Sequence, residues 1–235
     1  MKTEKIVLNE ERNVTLSAYL QDEKTDERCS AILIMPGGGY EICAEPEGEL
    51  PAYAYQAAGF QAFVLNYTVG NQCVWPLPLE DYELAMETIK NRADEWNIDP
   101  EKIAIAGFSA GGHLAGCAAT IGKNRPAAAV LVYPAVIKEC IGDRFPDGPF
   151  PNEQVSKDTC PCFLLAARDD DVVDIKNTLL MELALTEYGI PFESHIYSVG
   201  GHAFATGEFS PWGHELTPRL KNWVRESIGW LRETL

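Results

Sequence analysis

AIAGFSAGGHLAG, residues 104–116, decides how the chain is read. It sets Ser109 between Gly107 and Gly111, with glycine two residues before the serine and two after it. An ordinary helix start needs neither, since Gly costs roughly 1 kcal/mol against Ala inside a helix. A sharp strand-to-helix turn needs both. IAIAGF reads as a strand, and the small residues from Ala110 onward read as a helix. In that context G-x-S-x-G lifts a serine hydroxyl out of a sheet edge. The flanking residues must then approach each other and the neighbouring strand closely. The first N–H groups of the helix stand beside the hydroxyl, where an oxyanion can be held.

Strand and helix patterns alternate on both sides of this turn. IVLNE and VTLSAYL are expected to pair as a hairpin through NEERN. AILIMPGGG is a short apolar run ended by Pro36 and three glycines, the form of a buried strand. LPAYAYQAAG reads as a helix closed by Gly59, and FQAFVLNYT as the next strand. Leu79, Tyr82, Ala85, Met86, Ile89, Ala93 and Trp96 step by three and four along one helix face, and NIDPEK breaks it. Beyond the elbow come strand AAAVLVYPAV, ended at Pro134, and strand CFLLAARDD. A helix from Thr178 to Tyr188 capped by Gly189, strand FESHIYSV and a last helix from Leu216 to Leu231 complete the chain. The alternation predicts one α/β domain over residues 1–235, a doubly wound, mostly parallel sheet with helices on both faces. Residues 137–158, with Pro146, Pro149 and Pro151, are expected to form an active-site loop or a lid-like insertion.

A serine hydroxyl is a poor nucleophile at neutral pH and needs a base. The chain has 4 histidines. His113 lies one helical turn after Ser109 and reads as a packing or loop-anchoring residue. His195 falls inside a strand, facing solvent or a helix, and His214 falls in a surface loop. His202 follows the last strand and two glycines, at the carboxyl edge where open α/β sheets gather their catalytic groups. The base needs a carboxylate to fix its tautomer and stabilise the imidazolium. ARDDDVVD ends another strand at the same edge and offers Asp169, Asp170 and Asp171, alongside the plainer reading of a solvated turn. The order Ser, Asp, His differs from those of chymotrypsin and subtilisin. MPGGGY, residues 35–40, supplies successive glycines whose N–H groups can point at an oxyanion. Tyr40 and Trp75, near the expected mouth, are candidate substrate-binding aromatics. Trp75 reads equally as a core or lid anchor.

Composition bounds the partners. With 35 acidic and 19 basic residues, the net charge is −16, spread along the chain. Such a surface repels phosphate backbones and anionic lipids, so neither nucleic acid nor membrane is an expected partner. No stretch reaches the ~18 apolar residues of a membrane span, and MKTEKIVLNEERN lacks the apolar core of a secretory signal. The 7 cysteines are odd in number and lack C-x-x-C spacing, which fits thiols in a reducing, cytoplasmic compartment. There is no H-E-x-x-H, and no G-x-G-x-x-G after the first strand, so neither a metal nor an organic cofactor is expected. Trp223 and Trp230 in the last helix read as core or as a dimer face, and a homodimer stays open.

With these motifs in order, the chain resembles the α/β-hydrolase superfamily. It is similar there to small bacterial esterases grouped with acetyl-xylan esterases, in the hormone-sensitive-lipase-like, BD-FAE-type carboxylesterase branch. PGGGY, FVLNY, PLPLEDYELAM, NIDPEKIAIAGFSAGGHLA, DDDVVDIKN and GGHAF carry the resemblance, which runs from about Ala31 to Trp230. It implies Ser109 as nucleophile, His202 as general base and an aspartate of the 169–171 run as acid. The family's D-x-x-V pattern, followed by an Asn at the helix start, selects Asp170 before Val173 and Asn177, with Asp171 second. The oxyanion donors would be the N–H groups of Gly38, Gly39 and Ala110. Pro36 departs from the histidine that many carboxylesterases carry before the glycines, and the segment after Tyr133 is short for the branch. The implied reaction is hydrolysis of short acyl esters of carbohydrates, such as acetylated xylo-oligosaccharides, with a small-molecule ester as partner. Two other readings stay open. A prolyl-oligopeptidase-like serine peptidase usually carries a gating domain for which 235 residues leave no room. A non-catalytic relative that binds in the pocket commonly loses a triad member.

Overall fold

The computed structural model describes residues 1–22 and 27–235. Its strands are β1 Lys2–Asn9, β2 Val14–Leu20, β3 Cys29–Met35, β4 Gln61–Asn66, β5 Ile98–Phe108, β6 Ala128–Val132, β7 Cys162–Ala167 and β8 Phe192–Tyr197. They form one 8-stranded sheet in the order β1-β2-β4-β3-β5-β6-β7-β8. The β1–β2 and β2–β4 pairs are antiparallel and every other pair is parallel, so β2 alone runs against the rest. The helices are α1 Glu49–Ala57, α2 Leu77–Asn91, α3 Ala93–Trp96, α4 Ala110–Ile121, α5 Lys138–Ile141, α6 Lys176–Tyr188 and α7 Trp223–Thr234. This is the α/β-hydrolase architecture expected from the sequence.

The parallel strands are apolar on both faces because both are covered. Ile32 and Ile34 point into a core shared with Tyr55 of α1 and Trp223 and Ile228 of α7. Leu33 and Met35 point into the opposite core, with Tyr82 and Met86 of α2, Leu114 of α4 and Met181 of α6. The hydroxyls of Tyr55 and Ser227 meet at 2.8 Å and tie α1 to α7. Trp223 is fully buried, so the core reading of that residue is the one the structure adopts. Among the described residues no helix is long and apolar enough to cross a membrane.

Three boundaries differ from the sequence reading. The helix expected through Trp96 is interrupted at Arg92, whose φ of −103° and ψ of 16° leave the helical region before α3 begins. NIDPEK is largely strand: Asn97, at φ 55°, turns the chain straight into β5, and Ile98 pairs with Cys29 ahead of a register shift. Pro100 sits in that shifted stretch, where a missing N–H is tolerated. The last helix begins at Trp223 instead of Leu216. Pro218 disfavours helical geometry at Thr217, and only a short 3-10 turn, Leu220–Asn222, precedes α7.

The turn between β5 and α4 accounts for its glycines. A Cβ on Gly107 would lie 2.2 Å from the Gly111 carbonyl oxygen. One on Gly111 would lie 2.1 Å from the Met35 oxygen and 2.4 Å from that of Pro36. Ser109 is held at φ 51° and ψ −114°, an unfavourable region for a non-glycine residue. Its N–H donates to the Val132 carbonyl at 3.0 Å, and its own carbonyl accepts from His113 and Ala135. Residues 137–158 lie against α4, with Ile141, Phe145, Phe150 and Val155 buried and Pro151 seated on Gly116.

His113 is the pin between α4 and two loops. It is fully buried, with Nδ1 2.7 Å from the Tyr40 hydroxyl and Nε2 2.9 Å from the Pro149 carbonyl. The neutral ring fits both: Nε2–H donates to Pro149, and Nδ1 accepts from Tyr40. Burial pushes this imidazole from its ordinary 6.5 down to about 4, against the smaller upward effect of the Pro149 carbonyl.

Gly111→Ala is expected to destabilise the protein by about 3 kcal/mol or more, the upper range of over-packing, and an unchanged Tm would contradict the close approach. His113 sets a pH signature. The unfolded chain binds a proton on this residue as pH drops through about 6.5, and the folded chain does so only near about 4. Its contribution is therefore complete above that upper value and is lost as pH falls through the window, by on the order of 3 kcal/mol. Tm measured against pH for wild type and His113→Gln should diverge there, with the shallower profile in the variant.

Candidate active site

Parallel strands all deliver their carboxyl ends to one edge, and the site is assembled there. Gly37–Gly39 follow β3, Ser109 follows β5, Tyr133 follows β6, Asp170 follows β7 and His202 follows β8. Ser109 Oγ lies 2.9 Å from His202 Nε2, and His202 Nδ1 lies 2.6 Å from Asp170 Oδ2. His202 is 3% exposed and the Asp170 side chain is fully buried. The second oxygen of Asp170 accepts from the N–H groups of Val172 and Val173 at 2.9 and 2.8 Å. The carboxylate is thereby fixed before it meets the ring. The ring is flanked by Tyr133, edge-on at 4.8 Å, and by Trp212, stacked at 5.6 Å and 14°.

The aspartate run divides its work. Asp170 alone of the three reaches His202. Asp169 accepts from Gly200 and Gly201 N–H at 2.9 and 3.0 Å and shapes the histidine loop. Asp171 is exposed and lies 3.7 Å from His214. His195 stands on β8 between Glu193 and Glu226, with its ring stacked on Phe163, away from this edge.

Ser109, His202, Gly38 and Gly39 line a cavity of about 390 Å³. Gly38 and Gly39 sit at φ 120° and 63°, and a Cβ on Gly38 would strike the Ile42 oxygen at 2.3 Å. Their N–H groups make no hydrogen bond among the described residues. Ala110 begins α4, so its N–H is one of the helix's unpaired first-turn donors. The walls are mainly apolar: Ile42, Pro46, Val172, Pro211 and Trp212. Ile42 and Trp212, 61% and 56% exposed, stand at its mouth. Among the described residues no group of three or more His, Cys, Asp or Glu is placed to hold a metal ion.

The two substrate-binding candidates lie elsewhere. Tyr40 is fully buried behind the glycine loop, its hydroxyl on His113 and its ring against Tyr67 and Phe145. A side chain with no exposed surface offers none to a ligand. Trp75 packs edge-on against His113 and Phe145 in a separate depression beside Pro149. No residue of 137–158 lines the cavity, so that stretch buttresses α4 and does not cover the serine.

Sequence reasoning missed Trp212, Tyr133 and Glu47. Trp212 lies in an irregular loop with no periodicity to mark it. Tyr133 reads as the tail of a strand. Glu47 is one of three acids in EPEGE, yet it is 4% exposed while Glu45 faces solvent and Glu49 is half-buried.

A sequence model of the BD-FAE family matches residues 16–133, a span that includes the glycine loop and Ser109. The chain is 33% identical over 230 residues to endo-1,4-beta-xylanase B of Butyrivibrio fibrisolvens, covering 84% of this chain and 36% of that protein. It is 28% identical over 219 residues to the acetylxylan esterase of Xylanibacter ruminicola, covering 83% of this chain and 45% of that protein. The chain thus spans under half the length of these two relatives. The crystal structure of MGS-M1, an alpha/beta hydrolase enzyme from a Medee basin deep-sea metagenome library, superposes with a TM-score of 0.90 at 37% identity. That match covers 100% of this chain and 98% of the other, including the segments that carry Asp170 and His202. The family match over half the chain and the whole-length structural match agree: the chain belongs to the BD-FAE family and has the α/β-hydrolase fold.

Proposed function

We propose that this protein is a serine esterase that hydrolyses short-chain acyl esters, acetyl esters of carbohydrates in particular. The observation that carries the reading is the continuous hydrogen-bonded line from Ser109 through His202 to Asp170, beside two glycine amides with no hydrogen-bond partner among the described residues. In this reading His202 takes the Ser109 proton as the hydroxyl attacks the ester carbonyl. The tetrahedral oxyanion is held by the N–H groups of Gly38, Gly39 and Ala110, an arrangement whose single donors are typically worth about 10²–10³ in rate. The imidazolium, stabilised by Asp170, gives its proton to the departing alcohol. His202 then activates water to release the acyl group.

The substrate class is supported by the mouth of the cavity. Trp212 presents an exposed aromatic face, and aromatic faces stack on the apolar faces of sugar rings. The cavity lies in the lower part of the range for small-ligand sites, which suits a short acyl group better than a long chain. The relative named acetylxylan esterase points the same way.

Hydrolysis of nitrophenyl esters from acetyl to octanoyl, with Ser109→Ala as the companion, tests the reading. Activity should be greatest at acetyl and fall with chain length, and the variant should lose at least about 10⁴ in kcat. A fluorophosphonate should label wild type and not the variant. Equal activity in both proteins would refute the reading, and faster cleavage of matched amides would move it to a peptidase. Asp170→Asn should cost about 10⁴ in kcat, while Asp171→Asn stays close to wild type. Trp212→Ala should raise KM for acetylated xylo-oligosaccharides more than for nitrophenyl acetate.

A further inference from the structure

Carboxylates are almost never fully buried unless paired. Asp81 follows that rule, bound to Arg12 and to Thr68. Glu47 does not: it is 4% exposed, and neither of its hydrogen-bond partners is a cation. It lies where the serine, the glycine loop and the histidine loop converge. Its Oε2 accepts from the Gly37 N–H at 2.8 Å, and its Oε1 accepts from the Tyr133 hydroxyl at 2.7 Å. Tyr133 in turn accepts from the Ala205 N–H at 3.1 Å, and its ring faces His202. Oε2 and Ser109 Cβ lie 2.5 and 2.9 Å from one point, the place where a Cβ on Gly37 would fall.

We propose that Glu47 is a positioning residue of this centre: its carboxylate locks the oxyanion loop to the histidine loop through Gly37 and Tyr133, and sets a negative charge facing the imidazolium formed on His202. The inference rests on the esterase reading given above.

The hydrogen bonds require an acceptor on both oxygens. Gly37 has only a proton to give. Tyr133 receives from Ala205, which leaves its own proton for Glu47. A protonated Glu47 would leave one proton without an acceptor on either side. Burial raises the pKa of this carboxyl, and the Tyr133 hydroxyl, the Gly37 N–H and the charge of His202 oppose that rise. Both segments that it joins are strained. Tyr40, at φ 63°, is the strained residue of the glycine loop, and Tyr133, Ala203 and Ala205 adopt positive φ around His202. Such conformations persist only where the surroundings over-determine them. Glu47 is the side chain that both strained segments share.

The test is steady-state hydrolysis of nitrophenyl acetate across pH by wild type, Glu47→Gln, Glu47→Asp and Ser109→Ala. Other titratable groups around His202 are Asp170 on Nδ1, Asp169 on its loop, Tyr133 against its ring, and His214 and Asp171 nearby. Tyr67, bound to the Pro36 carbonyl, faces Glu47 from β4's end. All stay in place in the Glu47 variants. Glu47→Gln keeps the shape and removes the charge. Its kcat should fall roughly ten- to a hundredfold with KM little changed. The acid limb of kcat/KM should move to lower pH, because an imidazolium without its facing anion forms less readily. Glu47→Asp keeps the charge and shortens the reach, so kcat should fall while the acid limb stays put. Wild-type kcat and an unmoved limb in Glu47→Gln would overturn the proposal. If that variant does not fold, wild-type kcat in Glu47→Asp would overturn it equally. A change confined to KM would also overturn it, since it would make Glu47 a substrate contact. Undiminished activity in Ser109→Ala would instead remove the esterase reading on which the inference stands.

Discussion

Two backbones pressed together set the geometry of the site: the first turn of α4 and the end of β3, where Gly111 meets the carbonyls of Met35 and Pro36. Any side chain at this contact would push the helix off the strand. Because none is there, the loop that follows β3 lies directly over the start of α4. Gly38 and Gly39 of that loop then line the same cavity as Ser109. The strained dihedrals of Ser109 are held by Val132 on one side and by the helix on the other. The elbow therefore depends on the neighbouring strands as much as on its own sequence.

The same tolerance of strain recurs across the edge. Ala203 and Ala205 adopt positive φ around His202. Ala205 is secured twice, by its N–H to Tyr133 and by its carbonyl, which accepts from Trp223 Nε1 at 3.0 Å. Trp223 belongs to a helix on the far face of the sheet. The histidine loop is thus anchored to both the edge and the core, which keeps a buried imidazole within hydrogen-bond reach of the serine.

Much of this was legible in the chain because each signal was local. G-x-S-x-G between a strand and a helix marked the elbow. The glycines after Pro36 marked a loop of exposed amides, and Gly200 and Gly201 marked the turn before His202. The choice of Asp170 over its neighbours needed a family pattern, since three consecutive aspartates look alike until the Val172 and Val173 amides single one out. Aromatic character near the motifs misled for Tyr40 and Trp75. Both turn inward to pack around His113, and sequence does not tell which way a loop aromatic points. Glu47 was hidden for the opposite reason. Its burial comes from Tyr133, 86 residues away, and nothing in EPEGE announces that partner. The start of α7 was misjudged because the apolar pattern runs through Pro218, and the backbone cost of that proline prevails.

The placement of β8 has a consequence for how the protein fails. It is one of the two edge strands, paired among the described residues with β7 alone, and most of its residues are at least partly exposed. The segment that carries His202 leaves from its end. Edge elements open at lower free-energy cost than the centre of a sheet. Fraying that also freed this segment from Asp169 and Tyr133 would carry the imidazole away while Ser109, which follows a central strand, stayed in place. The centre would then be switched off by a sub-global opening, with the fold around it still intact. Under heat or mild denaturant, the lifetime of the function would be governed by the last parallel strand rather than by the stability of the whole domain.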